Sequence, residues 1–241
     1  MNEDDFLTIK ANIADLQSRI DRAAAMAGRD PGDITLLAAT KMNSAERVQA
    51  AIKAGIRVCG ENRVQELLDK YGQNAYAGAD LQFIGTLQTN KVKYLIGKVS
   101  LIQSVGSVHL GKAIAKEAAK KNVRQDILME VNIGREEAKS GILPEELAAA
   151  AEELSALPSL RIRGLMAIPP IADPDRGNTP YFLQMRQLYE DLAALRLPNV
   201  EMDTLSMGMT DDFEEAIACG SNMIRLGTAI FGRRNYGTVT G

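Results

Sequence analysis

A lysine directly follows the first buried strand that the sequence predicts. Residues 34–40 form a run of apolar and β-branched side chains that ends at Lys41, between Gly32-Asp33 and Asn43-Ser44. Such a run is typical of a parallel strand buried on both faces, and ligands bind at the C-terminal ends of these strands. Lys41 is therefore either a solvated residue at the strand end or a buried amine held for Schiff-base chemistry, and these residues alone leave both interpretations open.

Two turns of small residues near the end of the chain have the composition of a phosphate site. The first contains Ser206 and Gly208, and the second contains Arg225, Gly227 and Thr228. Glycine lets the backbone approach a ligand closely, and hydroxyl groups and oriented N–H groups bind phosphate. After the first turn, Thr210 and Asp211 are candidate helix caps. The alternative is that both glycines only serve tight turns.

The elements that would position these residues alternate regularly along the chain. An amphipathic helix over 5–28 precedes about eight strand–helix units, which favours a single-domain (β/α)8 barrel over residues 1–241. A doubly wound open sheet is the alternative. The predicted strands cover 35–40, 57–60, 81–84, 99–103, 126–133, 161–166, 204–207 and 222–226. The predicted helices between them cover 45–54, 63–71, 90–96, 110–121, 144–157, 179–195 and 212–219.

Composition excludes several classes of function. The 241 residues carry a net charge of -3, so no global basic field favours nucleic acid, and the lysines over 112–121 are expected to form a solvated helix face. Cys59 and Cys219 fit neither a disulfide framework nor a zinc site, and the lone His109 excludes a multi-histidine metal site. With no signal sequence and no long apolar run, we expect a cytoplasmic protein with no membrane partner.

In a barrel, the predicted phosphate site would lie across the mouth from Lys41. That arrangement suits pyridoxal 5′-phosphate, whose aldehyde forms an imine with a lysine amine; burial among apolar residues would keep the amine neutral. A Schiff-base aldolase shares the barrel but usually carries its lysine on a later strand. The proline-rich segment 168–178, after the sixth strand, is the candidate active-site loop, and a plain connection is the alternative.

Motifs spread over nearly the whole chain make the sequence similar to the pyridoxal phosphate homeostasis protein family, which has a barrel like the N-terminal domain of alanine racemase. The matching stretches are LAATK at 37–41, GENRVQE at 60–66, FIGTLQTNK at 83–91, VNI at 131–133, KSG at 139–141, GLMAIP at 164–169, LSMGM at 205–209 and IRLGTAIFG at 224–232. The combination is specific, although no single stretch is. At one position the sequence departs from the family, which often has histidine where this chain has Gln82.

The resemblance implies a role for each candidate site residue. Lys41 would be the imine lysine, Arg225 would lie near the pyridine ring, and Asn62 would lie near the cofactor on the second strand. The phosphate contacts implied by the resemblance come from Ser206, Gly208, Gly227 and Thr228.

The same residues favour a carrier of pyridoxal phosphate over an enzyme. Arg225 is a permanent cation, so a ring nitrogen beside it should be unprotonated, which weakens the ring as an electron sink. No tyrosine or histidine falls at the assigned strand ends to remove a proton, and only a short polar tail that begins at Arg233-Arg234 follows the eighth unit, where racemases carry a β domain. We therefore expect a monomer that affects vitamin B6 and amino/keto acid balance, with PLP-dependent apoenzymes as candidate partners. A PLP-dependent amino-acid racemase is the alternative.

Overall fold

In the computed structural model, which describes residues 3–171 and 177–232, eight parallel strands form one closed barrel. Each strand pairs with its neighbours in sequence, and the last strand closes on the first, where Leu36 aligns with Ile224. The predicted (β/α)8 barrel is confirmed. The open sheet is excluded because β1 and β8 would not pair with each other in it, as they do here. The strands are β1 (Thr35–Ala39), β2 (Val58–Glu61), β3 (Asp80–Phe83), β4 (Leu101–Val105), β5 (Gln125–Glu130), β6 (Leu160–Met166), β7 (Val200–Ser206) and β8 (Met223–Leu226).

Helices follow the strands and cover the outside of the barrel. They are α1 (Glu3–Met26), α2 (Ala45–Lys53), α3 (Val64–Gly72), α4 (Val92–Leu95), α5 (Val108–Lys120), α6 (Leu147–Ser155), α7 (Thr179–Ala194), α8 (Phe213–Ala218) and α9 (Thr228–Phe231). Short 3-10 turns occupy Pro31–Asp33, Thr89–Lys91 and Pro144–Glu146. Within the described ranges, no helix combines the length and the apolar character needed to cross a membrane.

The additional helix α1 buries one apolar stripe against the outer helices. Ile9, Ile13, Leu16 and Ile20 recur at helical spacing and are buried, which is the pattern that predicts this helix. The stripe packs on α2, α8 and α9. Because α8 and α9 follow the two candidate phosphate turns, α1 supports the elements that position them.

Inside the barrel, small apolar clusters lie apart from the main core between strands and helices. Leu37, Ala39, Ile84 and Met223 form one cluster, and Leu101, Leu128 and Met166 form another. Successive side chains of a strand point to opposite faces, so one set fills the interior while the other packs on the helices. The barrel is therefore a packed core, and ligands have access only at its ends.

All the predicted strands differ from the structure by a residue or two, and two of them differ at one end by three residues or more. The fifth ends at Glu130 rather than 133, because Val131 makes only an isolated bridge with Ile142. The seventh begins earlier, at Val200, although Glu201 and Asp203 interrupt its apolar pattern. Both carboxylates form ion pairs with arginines of β6.

A glycine permits the close contact between β6 and β7. Gly164 has a φ of +147°, and a Cβ atom at this position would lie 1.7 Å from the carbonyl oxygen of Thr204. The register of β6 shifts beside it on both neighbouring strands. Only a residue without a side chain fits this irregularity.

Candidate functional site

Lys41 lies in the turn between β1 and α2 and is exposed. The strand ends at Ala39, Thr40 is buried, and Ser44 caps α2 by accepting a hydrogen bond from the Arg47 backbone N–H at 3.4 Å. The expectation of an amine buried among apolar residues is therefore wrong. The chain leaves the barrel wall one residue before Lys41, so the side chain extends from the rim.

Lys41 opens onto a cavity of about 740 Å³ at the C-terminal end of the barrel. Five of the seven candidate site residues line this cavity, and they come from the segments after β1, β2 and β8 and from β8 itself. They are Lys41, Asn62, Arg225, Gly227 and Thr228. Apolar side chains such as Ile84 and the polar residues Asp5, Asn43 and Arg47 also line it. The fold thus brings together residues that are up to 187 positions apart in the chain.

Arg225 connects the cavity to the polar interior of the barrel. Its Nη1 donates to Ser206 Oγ at 2.6 Å, and Ser206 donates to Gln103 Oε1 at 2.7 Å. Gln103 Nε2 in turn donates to Gln82 Oε1 at 2.7 Å, and Gln82 Nε2 donates to Asp80 Oδ2 at 2.9 Å. Gln82, the position at which the sequence departs from the family, therefore continues a hydrogen-bonded chain across the barrel.

The guanidinium of Arg225 is deeply buried. The second nitrogen, Nη2, donates to the carbonyl oxygen of Ala167 at 2.9 Å. Burial lowers the pKa of Arg225 to about 10, although the carboxylates of Asp212 and Glu130 act in the opposite direction. Arg225 therefore remains a cation at neutral pH and offers hydrogen-bond donors at the inner end of the cavity.

Ser206 and Gly208 are placed differently from the other candidates, since neither is among the described residues that line the cavity. Ser206 is fully buried, and its hydroxyl is engaged by Arg225 and Gln103. Gly208 has a φ of +96° and packs against α8, where an added Cβ would lie 2.6 Å from Ala216 Cβ. Their phosphate contacts stay predictions; the structure gives Ser206 a hydrogen-bonding role and Gly208 a packing role.

Gly227 and Thr228 form the start of α9, where the sequence predicts only a turn. Gly227 is the N-cap, and its carbonyl oxygen accepts from Ile230 and Phe231. Since the N–H groups of Ile230 and Phe231 donate to Gly227, only those of Thr228 and Ala229 at the start of this four-residue helix can be offered to an anion. In the preceding unit, Asp212 and not Thr210 or Asp211 is the cap residue of α8, and its Oδ1 accepts from the Met209 N–H at 2.6 Å.

Asn62 lines the cavity and carries an unsatisfied polar atom. Its Oδ1 is buried and has no hydrogen-bond partner among the described residues. A buried acceptor without a partner is costly, and a ligand with a donor group would satisfy it. Of the predicted active-site loop, Ile168 lines the cavity, whereas 172–176 lie outside the described residues, as do Arg233 and Arg234.

The sequence gives no direct indication of a buried ion cluster behind the Lys41 turn. Glu61, Glu66 and Lys70 meet there, with Lys70 Nζ at 2.8 Å from Glu61 and 2.6 Å from Glu66. The spacing of Glu66 and Lys70 on α3 is the one signal that could have revealed part of it, because residues four apart share a helix face. Within the described residues, no group of side chains has the geometry of a metal site.

Comparison with known proteins identifies the family. A sequence profile of the alanine racemase N-terminal domain matches residues 8–235. The pyridoxal phosphate homeostasis protein of Aquifex aeolicus is 44% identical over 218 residues, which is 90% of this chain and 95% of that protein.

Solved structures match over most of the chain as well. A protein of unknown function from Bifidobacterium adolescentis aligns with a TM-score of 0.90 and 34% identity, covering 95% of this chain and 97% of that one. PipY of Synechococcus elongatus, whose structure contains PLP, aligns with a TM-score of 0.77 and 30% identity, covering 89% of this chain and all of PipY (100%). The chain therefore belongs to the pyridoxal phosphate homeostasis protein family, within the alanine racemase N-terminal domain family.

Proposed function

We propose that this protein binds pyridoxal 5′-phosphate in the cavity at the barrel mouth and acts in the homeostasis of this cofactor. The observation that carries the proposal is that a lysine amine, an arginine and the Gly227-Thr228 turn line one cavity. When bound, pyridoxal phosphate supplies an aldehyde that condenses reversibly with a primary amine. The structure of the relative PipY with PLP supports the same ligand for this chain.

The residues present fit the ligand in their chemistry. Lys41 is the primary amine, and its exposure at the rim leaves it accessible to a ligand that enters from solvent. The Thr228 hydroxyl and the backbone N–H groups of Thr228 and Ala229 are donors suited to a phosphate. Asn62 Oδ1 is a buried acceptor that lacks a donor among the described residues. In this proposal Ser206 and Gly208 do not contact the ligand. Ser206 accepts a hydrogen bond from Arg225, and Gly208 packs on α8.

The cavity is poorly suited to racemise amino acids. Arg225 carries a charge at neutral pH and has no acceptor atom, so it cannot keep a ring nitrogen protonated. No histidine or tyrosine in the ranges 3–171 and 177–232 lines the cavity to exchange a proton with a substrate. We therefore propose a carrier that affects amino/keto acid balance by supplying apoenzymes. We place it as a monomer in the cytoplasm, where its free Cys59 and Cys219 would stay reduced.

Adding pyridoxal 5′-phosphate to the purified protein tests the proposal. We expect a yellow absorbance band that is stable to dialysis in the parent and absent from Lys41→Ala. The matched control is Lys10→Ala, which removes an exposed lysine of α1 and should bind as the parent does. A parent that stays colourless would refute the proposal. Rapid conversion of L-alanine or L-serine to the D-isomer would favour the racemase instead.

A further inference from the structure

The turn that carries Lys41 has a backbone conformation that its own residues do not favour. Met42 has a φ of +59°, in the left-handed region, although it is not a glycine. The turn is closed by the Asn43 N–H, which donates to the carbonyl oxygen of Thr40 at 3.2 Å. With Met42 itself 60% exposed, packing of its side chain does little to hold this conformation. The Asn43 side chain adds one local bond, from Nδ2 to the Lys41 carbonyl oxygen at 3.2 Å, and contacts from elsewhere hold the backbone on either side of Lys41.

Side chains of β2 and α3 provide these contacts. Lys70 Nζ donates to the carbonyl oxygen of Thr40 at 2.8 Å, on the N-terminal side of Lys41. Glu66 Oε1 accepts the backbone N–H of Met42, on the C-terminal side. The Thr40 hydroxyl also donates to Glu61 Oε1 at 2.7 Å. Each neighbour of Lys41 is thus hydrogen-bonded to an ionised group of the next strand–helix unit.

The ionised groups hold one another in place. Lys70 lies between the two carboxylates, and the side chains of Lys70 and Glu61 are only 7% and 0% exposed. The hydroxyl of Tyr76 donates to Glu61 at 3.0 Å, and burial beside this carboxylate raises the pKa of Tyr76, which keeps it a neutral donor. Hydrogen bonds that involve a charged, buried group are stronger and better fixed than those between neutral, exposed groups.

We infer that Glu66 and Lys70 are positioning residues for Lys41. They fix the backbone at Thr40 and Met42, so that the Lys41 side chain leaves the turn in one direction, toward the cavity that it lines. The inference rests on the proposed function only in that Lys41 is the amine that binds pyridoxal phosphate. Glu66 contacts the turn and does not line the main cavity, although it lines a smaller neighbouring cavity of about 240 Å³ together with Lys41. For a ligand in the main cavity, the effect of Glu66 would therefore pass through Lys41.

The test compares Glu66→Ala with Glu66→Gln in the full chain. Glutamine keeps an oxygen that can accept from Met42 N–H, whereas alanine does not. In E66A we expect hydrogen exchange of the Met42 amide to accelerate at least about tenfold, and affinity for pyridoxal 5′-phosphate to fall by about the same factor. In E66Q both the exchange rate of the Met42 amide and the affinity for pyridoxal 5′-phosphate should lie close to those of the parent. The control Glu190→Ala removes an exposed carboxylate from another i,i+4 pair, that with Arg186, and should change neither.

The outcomes separate the two proposals. Parent-like exchange at Met42 and parent-like affinity in E66A would overturn the positioning role. If the parent binds no pyridoxal phosphate while E66A still accelerates exchange at Met42, the proposed function fails but the anchoring of the turn stands. Thermal unfolding of each variant shows whether it is folded. If E66A has no cooperative transition, Glu66→Asp replaces it in the test. Aspartate is shorter by one methylene, so we again expect faster exchange at Met42 and weaker binding of pyridoxal phosphate.

Discussion

Replacing Lys70 with methionine tests how much the buried ion cluster contributes to the fold. The ammonium donates at 2.8 Å to Glu61 Oε1, 2.6 Å to Glu66 Oε1 and 2.8 Å to the Thr40 carbonyl oxygen. Methionine leaves the fully buried Glu61 without its cation, and removal of one partner of a buried pair costs about 3–5 kcal/mol. Domains have a total unfolding free energy of about 5–15 kcal/mol, so the loss would be a large fraction of it.

Urea and thermal unfolding, followed by circular dichroism, measure this loss. For a chain of this length each kcal/mol lowers the melting temperature by about 2–4 °C, so we expect K70M to melt about 6–20 °C below the parent. Lys120→Met is the matched control, because Lys120 makes an exposed ion pair with Glu117, three residues earlier on α5. Such pairs contribute little, and K120M should unfold as the parent does.

A second substitution identifies the cause of the loss. In K70M/E61Q the Glu61 carboxylate, which has no cation in K70M, is replaced by an amide. The amide oxygen can still accept from Thr40 and Tyr76, as Glu61 Oε1 does in the parent. We expect the double variant to recover more than half of the stability lost in K70M. A K70M cost below about 1 kcal/mol, the value of an ordinary hydrogen bond, would refute the reasoning. A double variant less stable than K70M would also refute it.

Three further substitutions test other parts of the site. Burial raises the pKa of Glu130 against the opposing effects of Ser140 and Arg225, so its contribution to stability is complete below its unfolded pKa and lost as pH rises through the folded pKa. Urea unfolding should therefore show Glu130→Gln more stable than the parent at neutral pH and equal to it below pH of about 4. Arg225→Gln should weaken retention of pyridoxal phosphate in equilibrium dialysis; an unchanged Kd would show that Arg225 does not contact the cofactor. Gly208→Ala should destabilise the fold by more than about 1 kcal/mol in thermal unfolding, because of its positive φ and the contact with Ala216; an unchanged melting temperature would contradict that packing.

The order of the strands could be predicted because most of them are short runs with apolar residues, each followed by a helix. Strand β7 shows where this reasoning fails. Glu201 and Asp203 look like loop residues in sequence, but Arg161 and Arg163 on the neighbouring strand pair with them. A pairing between strands forty residues apart has no local signal. The short helix α9 was missed for a related reason, since its four residues contain no helical repeat.

The sequence predicts which strand ends form the site, but it does not predict how deeply each site residue is buried. The sequence indicates that Lys41, Arg225 and Gly227 meet at one end of the barrel, since the C-terminal ends of parallel strands converge. It does not show that Lys41 is exposed while Ser206 is fully buried, because burial depends on where each strand ends: Ser206 is the last residue of β7, whereas β1 ends two residues before Lys41. The role of Gln82 likewise depends on partners 2 and 21 residues away, whose contact is set by the closure of the barrel.

Peptide mapping of the reduced complex tests the role of Lys41 most directly. The protein is loaded with pyridoxal 5′-phosphate, treated with borohydride to make the carbon–nitrogen link permanent, digested and examined by mass spectrometry. We expect the phosphopyridoxyl label mainly on the peptide that contains Lys41. Other exposed lysines should be labelled only to the small extent caused by free pyridoxal phosphate in solution. A complex that retains pyridoxal phosphate but carries the label on a different lysine, with Lys41 unmodified, would contradict the assignment.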